Sequence, residues 1–278
     1  MSRSLRDTFF IRIFCNFAVH KHQLFLEAYY MSVNPVFSII TITFNAESTV
    51  RPTLESIKKQ TFTDFEYLVI DGNSSDNTVS IVNDAHIPCT TVISEPDKGL
   101  YDAMNKGIKL AKGQYLIFLN AGDALHEADT LKYVSDAIKK NNPDIVYGQT
   151  IIVNYERVKI ANRHLTAPEH LTADSFKNGM LVCHQAFIAR RDIAEFYDLS
   201  YRFSADYDWC IRCLKKSRKN TYVDKVLIDY LSEGVTTKNF KKSLRERYSI
   251  MCKYYGTLPT AFRHIGFLFR HLIRKITH

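Results

Sequence analysis

Four apolar runs, each stopping at a cluster of polar or acidic residues, constrain this chain more than any other feature. Residues 36–44 are almost wholly β-branched or apolar, and residues 65–70, 90–94 and 115–119 follow the same plan. Continuous runs of this kind suit strands buried on both faces of a parallel sheet. Helical patterns separate them: residues 50–60, then a helix opened by Ser75 or Asp76 as cap, then 101–111, stopped at Gly113. The alternation predicts an α/β fold with a Rossmann-like, mostly parallel central sheet flanked by helices. The runs end at Asn45 with Glu47, at Asp71, at Glu95 with Asp97, and at Asn120 with Asp123. Open parallel sheets bind ligands outside the carboxyl ends of their strands, so these polar ends are expected to share one site.

The second half is less regular. Residues 130–141, 206–216 and 240–255 read as helices, and 144–147 and 222–231 as strands. Residues 151–165 suit a hairpin or mixed strands. Residues 180–189 read as a strand carrying His184 and Gln185.

Charge narrows the function classes. Of 278 residues, 37 are Lys or Arg and 29 Asp or Glu, a formal charge of +8, and 46% apolar residues are enough for a real core. Residues 238–278 hold ten bases against one acid, Glu246, so this segment alone carries +9. The body between residues 31 and 237 is slightly acidic. Acidic strand ends repel a phosphate backbone, so nucleic acid is not the expected partner. Neither GxGxxG nor GxxxxGK[ST] occurs, and there is no GxSxG or HExxH, which argues against dehydrogenase, P-loop, serine-hydrolase and zincin chemistry. A nucleotidyltransferase would want a Gly-rich loop after the first strand, and residues 43–53 hold no glycine. Phosphates would instead be held through Mn²⁺ or Mg²⁺, which take oxygen ligands. Cys210 and Cys213 have a metal-like spacing without a second pair, and read as buried helix thiols.

Several segments together resemble a known family. Ser38-Ile39-Ile40-Thr41 through Asn45 and Val69-Ile70-Asp71-Gly72-Asn73-Ser74-Ser75-Asp76 are similar to the opening of family 2 glycosyltransferases of the GT-A fold. Ser94-Glu95-Pro96-Asp97 through Ile108, Leu119-Asn120-Ala121-Gly122-Asp123, Cys183-His184-Gln185-Ala186 and Ser204-Ala205-Asp206-Tyr207-Asp208 resemble a narrower branch serving colanic acid, capsule and other exopolysaccharide pathways. The resemblance covers roughly residues 36–240. It implies transfer of a sugar from a nucleotide-sugar donor to a saccharide or lipid-linked acceptor, with inversion, in exopolysaccharide, capsule or O-antigen synthesis.

Roles follow from the resemblance residue by residue. Thr43, Asn45, Glu47 and Asp71 would lie at the nucleoside, with a helix cap or turn as the plain alternative. Asp97, Asp102 and Asn105 would face the donor sugar and diphosphate. Lys106 would either neutralise phosphate or stand in solvent. Asn120-Ala121-Gly122-Asp123 occupies the place of the family's DxD motif, with Asp123 as metal ligand and Asn120 on the donor side as a neutral oxygen. Asp206 would be the base that takes the acceptor proton, with Asp208 as the competing base. His184, Gln185 and Trp209 would lie on the acceptor side, although Trp209 suits a core position equally. Glu233 replaces a glycine of the family's Gly-Gly-x-Ser loop. Asn120 and Ala205, which depart from the pattern, also leave open a non-catalytic protein that only binds a nucleotide-sugar.

The domain plan is a leader or misassigned start over residues 1–31, the catalytic domain over 32–237 and a basic helical tail over 238–278. In the tail, Leu258, Phe262, Ile265, Leu268 or Phe269, Leu272 and Ile276 recur at helical spacing, with Arg263, Arg270 and Arg274 on the opposite side. A basic amphipathic helix with Phe and Leu on one face suits an anionic membrane surface. The alternative is a helix packed on the body. The expected location is cytoplasmic, with peripheral attachment to the inner face of the plasma membrane.

Overall fold

The computed structural model describes residues 35–232 and 239–276. The proposed leader and the loop containing Glu233 lie outside the described residues.

The chain builds one mixed sheet with helices on its faces. The first strand, β1 (Phe37–Thr43), is buried at every residue. It pairs in parallel with β2 (Phe65–Asp71) on one side and with β4 (Tyr115–Phe118) on the other, while β3 (Thr90–Ser94) extends the sheet beyond β2. The chain thus moves outward from β1 to β3, then crosses back to the far side of β1. The reversal at β1 and β4 opens a crevice at the carboxyl ends of these strands.

Register levels those ends. Thr43 pairs with Asp71, and Asp71 pairs with Ser94, so three strands stop together where their last side chains can meet. The connecting helices bury one stripe each. In α1 (Val50–Lys58) the stripe is Val50, Thr53, Leu54 and Ile57, the spacing of a single helical face. α2 (Thr78–Asp84) packs against α1, and α3 (Leu100–Leu110), which lies on β1 and β2, buries Tyr101, Ala103, Met104, Gly107 and Ile108. Buried Glu66 accepts the Lys112 and Gly113 N–H groups and the Ser38 hydroxyl, which turns the chain from α3 into β4. Each fully buried Ile, Leu or Phe contributes about 1.5–3 kcal/mol, so this core holds the crevice rigid.

After a two-residue strand, β5 (Ala124–Leu125), and α4 (Thr130–Asn141), the topology becomes mixed. β6 (Ile145–Val153) forms a hairpin with β7 (Lys159–Asn162). β8 (Phe187–Arg190) inserts antiparallel between β4 and β6, and β9 (Asn220–Leu231) pairs in parallel with β6 and antiparallel with β5. β6 runs six residues past the expected strand. The expected strand over residues 180–189 is corrected: His184–Ala186 is a 3₁₀ turn and only Phe187–Arg190 is strand. The turn lifts His184 and Gln185 out of the ladder and points them at neighbouring side chains rather than along the sheet.

α5 (Ala205–Lys216) follows, and after β9 come α6 (Phe240–Tyr255) and α7 (Thr257–Ile276), joined at Gly256 with φ +86°. Cys210 and Cys213 are buried within α5, and burial pushes both thiols up. Among the described residues, no helix is long and apolar enough to cross a membrane.

Candidate active site

The crevice begins with Asp71, fully buried at the end of β2. Its carboxylate accepts the Thr43 hydroxyl at 2.7 Å, the Ser74 hydroxyl at 2.5 Å, the Ser74 N–H at 2.8 Å and the Ser94 hydroxyl at 2.7 Å. Burial raises its pKa, but these bonds outweigh burial and hold it below the ordinary value. They also occupy the carboxylate's acceptor sites. Asp71 is thus an organiser of the strand ends, and any contact with a nucleoside would displace one of these four donors.

The loops around it are cross-linked. The Asn45 N–H donates to Ser74 Oγ, and Asn45 Oδ1 accepts the Ser75 N–H at 2.9 Å. Asn45 has φ +48°, a conformation asparagine tolerates. Glu47 Oε2 accepts both the N–H and the side-chain amide of Asn77 at 3.0 Å. Thr43, Asn45, Glu47 and Asp71 therefore do converge on one edge of the crevice, and Asn45 and Glu47 are exposed there. The β3–α3 loop closes against them. Asp97 Oδ1 accepts the Gly99 N–H at 2.7 Å, and a Cβ at Gly72 would stand 2.5 Å from Asp97 Oδ2, so only glycine lets the two loops approach this closely. Asp102 accepts the Lys98 N–H.

Two expected donor-side groups are committed elsewhere. The Asn105 amide donates to Tyr197 O at 3.0 Å and accepts the Tyr197 N–H at 2.7 Å. Both polar ends of the side chain thus contact the Tyr197 backbone. Lys106 pairs with Glu95 at 2.9 Å and donates to Pro96 O.

The Asn120–Asp123 loop is held from three sides. Buried Thr53 on α1 accepts the Gly122 N–H at 3.0 Å and donates to Asp123 O at 2.7 Å. Arg157, from the β6–β7 hairpin, donates to Gly122 O at 2.7 Å. Gly122 has φ +101°, and a Cβ there would meet Leu231 at 2.8 Å; this explains a glycine in the middle of the motif. The Asp123 carboxylate is buried and accepts Gln185 Nε2 at 2.7 Å and the Leu231 N–H at 3.0 Å. Burial drives its pKa up to about 7 despite those two bonds and the nearby Arg157. Gln185 is thus the partner of the proposed metal ligand. Asn120 Oδ1 is buried and has no hydrogen-bond partner.

That orphaned oxygen and the Asp123 carboxylate are hard oxygen donors of the kind Mn²⁺ and Mg²⁺ take. Among the described residues, no group of three His, Cys, Asp or Glu could hold a metal by itself. The residues present therefore fit a cation that draws most of its shell from substrate phosphate and water.

On the far side, Asp206 is half-buried in the first turn of α5 and accepts the Tyr101 hydroxyl at 3.1 Å. Tyr101 stacks on Tyr197 at 5.5 Å, and Tyr197 OH lies 2.6 Å from His184 Nε2. Burial lowers the His184 pKa to about 4, so this ring is neutral near pH 7 and props the aromatic layer beneath the site. Gln185, which holds Asp123, adjoins His184, and through Tyr197 and Tyr101 the same layer reaches Asp206, so one set of packed side chains links the two carboxylates. Sequence reasoning missed Tyr101, Tyr197, Thr53 and Arg157, because nothing local marks a residue whose partner lies far along the chain.

Two further residues of α5 are buried. Asp208 is fully buried, bonded to Arg212 Nε at 2.7 Å, Lys253 Nζ at 3.1 Å and Tyr254 OH at 2.8 Å. Its carboxylate ties α6 to α5. Trp209 is also fully buried, stacked on Tyr197 at 5.2 Å, with its indole N–H donated to Glu195 O; it is a core ring and offers no face to a sugar.

Residues 38–197 match the family model described as glycosyl transferase family 2. The chain belongs to that family. The glycosyltransferase is 37% identical over 223 residues to the "PGL/p-HBAD biosynthesis glycosyltransferase" of Mycobacterium bovis, with 76% of this chain and 84% of the relative covered. It is 26% identical over 219 residues to the Escherichia coli "UDP-Glc:alpha-D-GlcNAc-diphosphoundecaprenol beta-1,3-glucosyltransferase WfgD", covering 77% and 84%. Among solved structures, S. aureus TarS 1-349 in complex with UDP-GlcNAc superposes with a TM-score of 0.63 at 20% identity, over 78% of this chain and 66% of that one. The mannosyltransferase PcManGT from Pyrobaculum calidifontis, in complex with GDP-Man and Mn²⁺, gives 0.58 at 14%, over 80% and 66%. These structural likenesses establish the GT-A type of fold for the glycosyltransferase.

Proposed function

We propose that the enzyme transfers a sugar, with inversion, from a nucleotide-sugar to a lipid-linked or saccharide acceptor in the assembly of a surface polysaccharide or glycolipid. The observation that carries this reading is a pair of carboxylates linked by one layer of packed side chains. Asp123 is buried on the β4 side, and Asp206 is half-exposed at the N-terminus of α5. The Tyr101 hydroxyl, donated to Asp206 Oδ1 at 3.1 Å, fixes the rotamer of its carboxylate.

In this mechanism Asp206 takes the proton of the acceptor hydroxyl as that oxygen bonds to the anomeric carbon. The bond from the anomeric carbon to the phosphate oxygen breaks on the opposite face, and the nucleoside diphosphate leaves. Asn120 and Asp123 are the groups that would hold a divalent cation, whose chemistry when bound is to neutralise charge on the departing diphosphate. Gln185, Thr53 and Arg157 keep that loop in place. The strand-end network of Thr43, Asn45, Glu47 and Asp71 forms the nucleoside edge, with Asp97 and Asp102 toward the sugar.

A lipid-linked acceptor is supported by α7. Leu258 and Phe262 are each 73% exposed and Ile265 is 51% exposed, whereas Thr260 is buried and Arg263 donates inward to Asn178 at 2.9 Å. The apolar stripe faces outward, as attachment to the cytoplasmic leaflet requires. The name of the Escherichia coli relative also refers to a lipid-linked acceptor, a diphosphoundecaprenol.

The test is Asp206→Asn, assayed with UDP-, GDP- and dTDP-sugars and Mn²⁺. Transfer is expected to fall at least a hundredfold, the usual worth of a general base, while the thermal shift given by the matching donor persists. Wild-type turnover in Asp206→Asn would overturn the assignment.

A further inference from the structure

Helix α6 crosses the start of α5 along one face. Ser243 Oγ lies 2.9 Å from Ser204 Oγ, and Glu246 accepts the N–H groups of Arg202 and Phe203 at 2.9 and 2.7 Å. Ile250 and Met251 are buried, and Lys253 and Tyr254 reach Asp208. Contacts that recur every three or four residues define the inward face of this helix. Arg247 stands on that face, one turn after Ser243. Its Nε is buried without a hydrogen-bond partner. Among the described residues no carboxylate pairs with its guanidinium, although Asp208 and Glu246 beside it find cationic or backbone partners. The Arg247 charge bears on the hydroxyls of Tyr101 and Tyr207, and Tyr101 is the residue bonded to Asp206. Ser243, one turn before Arg247, meets Ser204, two residues before Asp206, so Arg247 stands on the helix face that packs at the start of α5.

A buried N–H without an acceptor is costly, and a guanidinium cannot escape the cost by losing its proton. The chain keeps it beside the reacting groups, so the missing acceptor belongs to a substrate. We propose that Arg247 binds the diphosphate of a lipid-linked acceptor, adjacent to Asp206. The planar fork of arginine matches two phosphate oxygens at once. The donor's diphosphate has its own place at Asn120 and Asp123, on the β4 side. Arg247 adjoins instead the group that receives the acceptor's proton. Its helix leads through Gly256 directly into α7, whose outward stripe of Leu258, Phe262 and Ile265 is where a lipid tail would lie. In a lipid-linked monosaccharide the diphosphate is one sugar ring from the attacking hydroxyl, so a base and an arginine side by side would read both ends of that sugar. The inference rests on Asp206 being the base.

The experiment is calorimetric titration of the full chain with two probes, farnesyl diphosphate and UDP with Mn²⁺, on wild type, Arg247→Gln and Arg247→Lys. Arg247→Gln is expected to weaken farnesyl diphosphate about tenfold to a hundredfold, the worth of one or two charge-assisted hydrogen bonds. Arg247→Lys should recover part of that loss. UDP affinity and Tm should stay at wild-type values. Weaker UDP with unchanged farnesyl diphosphate would hand Arg247 to the donor and overturn the acceptor assignment. No change with either probe would remove the anion site altogether. Loss of both probes together with a lowered Tm in both variants would make the residue structural and also overturn the proposal. Asp206→Asn separates the two readings: it should leave farnesyl diphosphate binding intact, and a fully active Asp206→Asn beside a defective Arg247→Gln would sink the base while sparing the anion site.

Discussion

Asn105 offers the sharpest test of whether this structure or sequence pattern is the better guide to the crevice. Family resemblance puts its amide on the donor sugar. In the structure the amide closes a two-bond bridge to Tyr197, donating to O at 3.0 Å and accepting N–H at 2.7 Å. Tyr197 is only 3% exposed and stacks on both Tyr101 and Trp209. Asn105→Ala removes both bonds and leaves a buried N–H and C=O unpaired. A neutral hydrogen bond is worth about 1 kcal/mol net, and an orphaned buried partner costs about 1–3 kcal/mol, so the variant should lose about 2–4 kcal/mol. For a domain of this size that is roughly 5–15 °C in Tm. Asn105→Asp keeps an acceptor for the Tyr197 N–H but sets a carboxylate oxygen against Tyr197 O, so it should be at least as unstable as Asn105→Ala. The assay is urea and thermal unfolding alongside UDP-sugar titration. Donor affinity, measured well below the unfolding transition, should change less than threefold. A stability loss below about 0.5 kcal/mol, within the range of an ordinary surface change, combined with a collapse in donor affinity would refute this reasoning and return Asn105 to the sugar.

The remaining predictions concern charge and surface. His184 titrates near 6.5 in an unfolded chain and near 4 here because of burial, so unfolding takes up a proton between those values. Stability present above pH 6.5 is lost as pH falls toward 4, by up to about 3 kcal/mol; His184→Gln should flatten that acid limb, and an unchanged limb would place the titration elsewhere. Asp123 runs the other way: its pKa of about 7 against 3.8 means the unfolded chain releases the proton first, and stability falls as pH rises through that window. With chelator at pH 8, Asp123→Asn should therefore be more stable than wild type while UDP affinity stops responding to Mn²⁺; a less stable variant, or retained Mn²⁺ dependence, would contradict the role given to this carboxylate. For α7, Leu258→Asp with Phe262→Asp should cut sedimentation with anionic liposomes about tenfold or more, since each ring or chain withdrawn from the interface forfeits about 1.5–3 kcal/mol. Equal binding of the double variant would leave the helix without a membrane role.

Much of the fold was legible because the responsible signals are local. The β-branched run of β1, the apolar stripes of α1 and α3, and the polar stops after each strand are written in consecutive residues, and they imply a parallel α/β sheet with a site at the strand ends. The segments around Asp71, Asp97, Asp123 and Asp206 fell on one family pattern for the same reason. Where the reading failed, the deciding partner lay far away in sequence. Residues 180–189 look like a strand by composition, yet Gln185 turns out to serve Asp123, 62 positions earlier. Asp206 and Asp208 sit two residues apart on one helix, and only the family pattern favoured Asp206 in sequence. Packing alone separates them, since α6 delivers Lys253 and Tyr254 to Asp208 and leaves Asp206 facing Tyr101 across the crevice.

By itself, then, the sequence determined the class of fold, the order of its elements and the edge at which chemistry could occur, because periodicity and turn chemistry act over a few residues. The tertiary structure decided which polar residues remain available to a substrate. Asp71, Asn105, Asp208 and Trp209 are committed to partners within the protein, while Asn120 Oδ1 and Arg247 Nε are buried and still lack one. That division depends on hydrogen-bond saturation across long loops, and a desolvated group's need for a partner is visible only once the chain has closed around it.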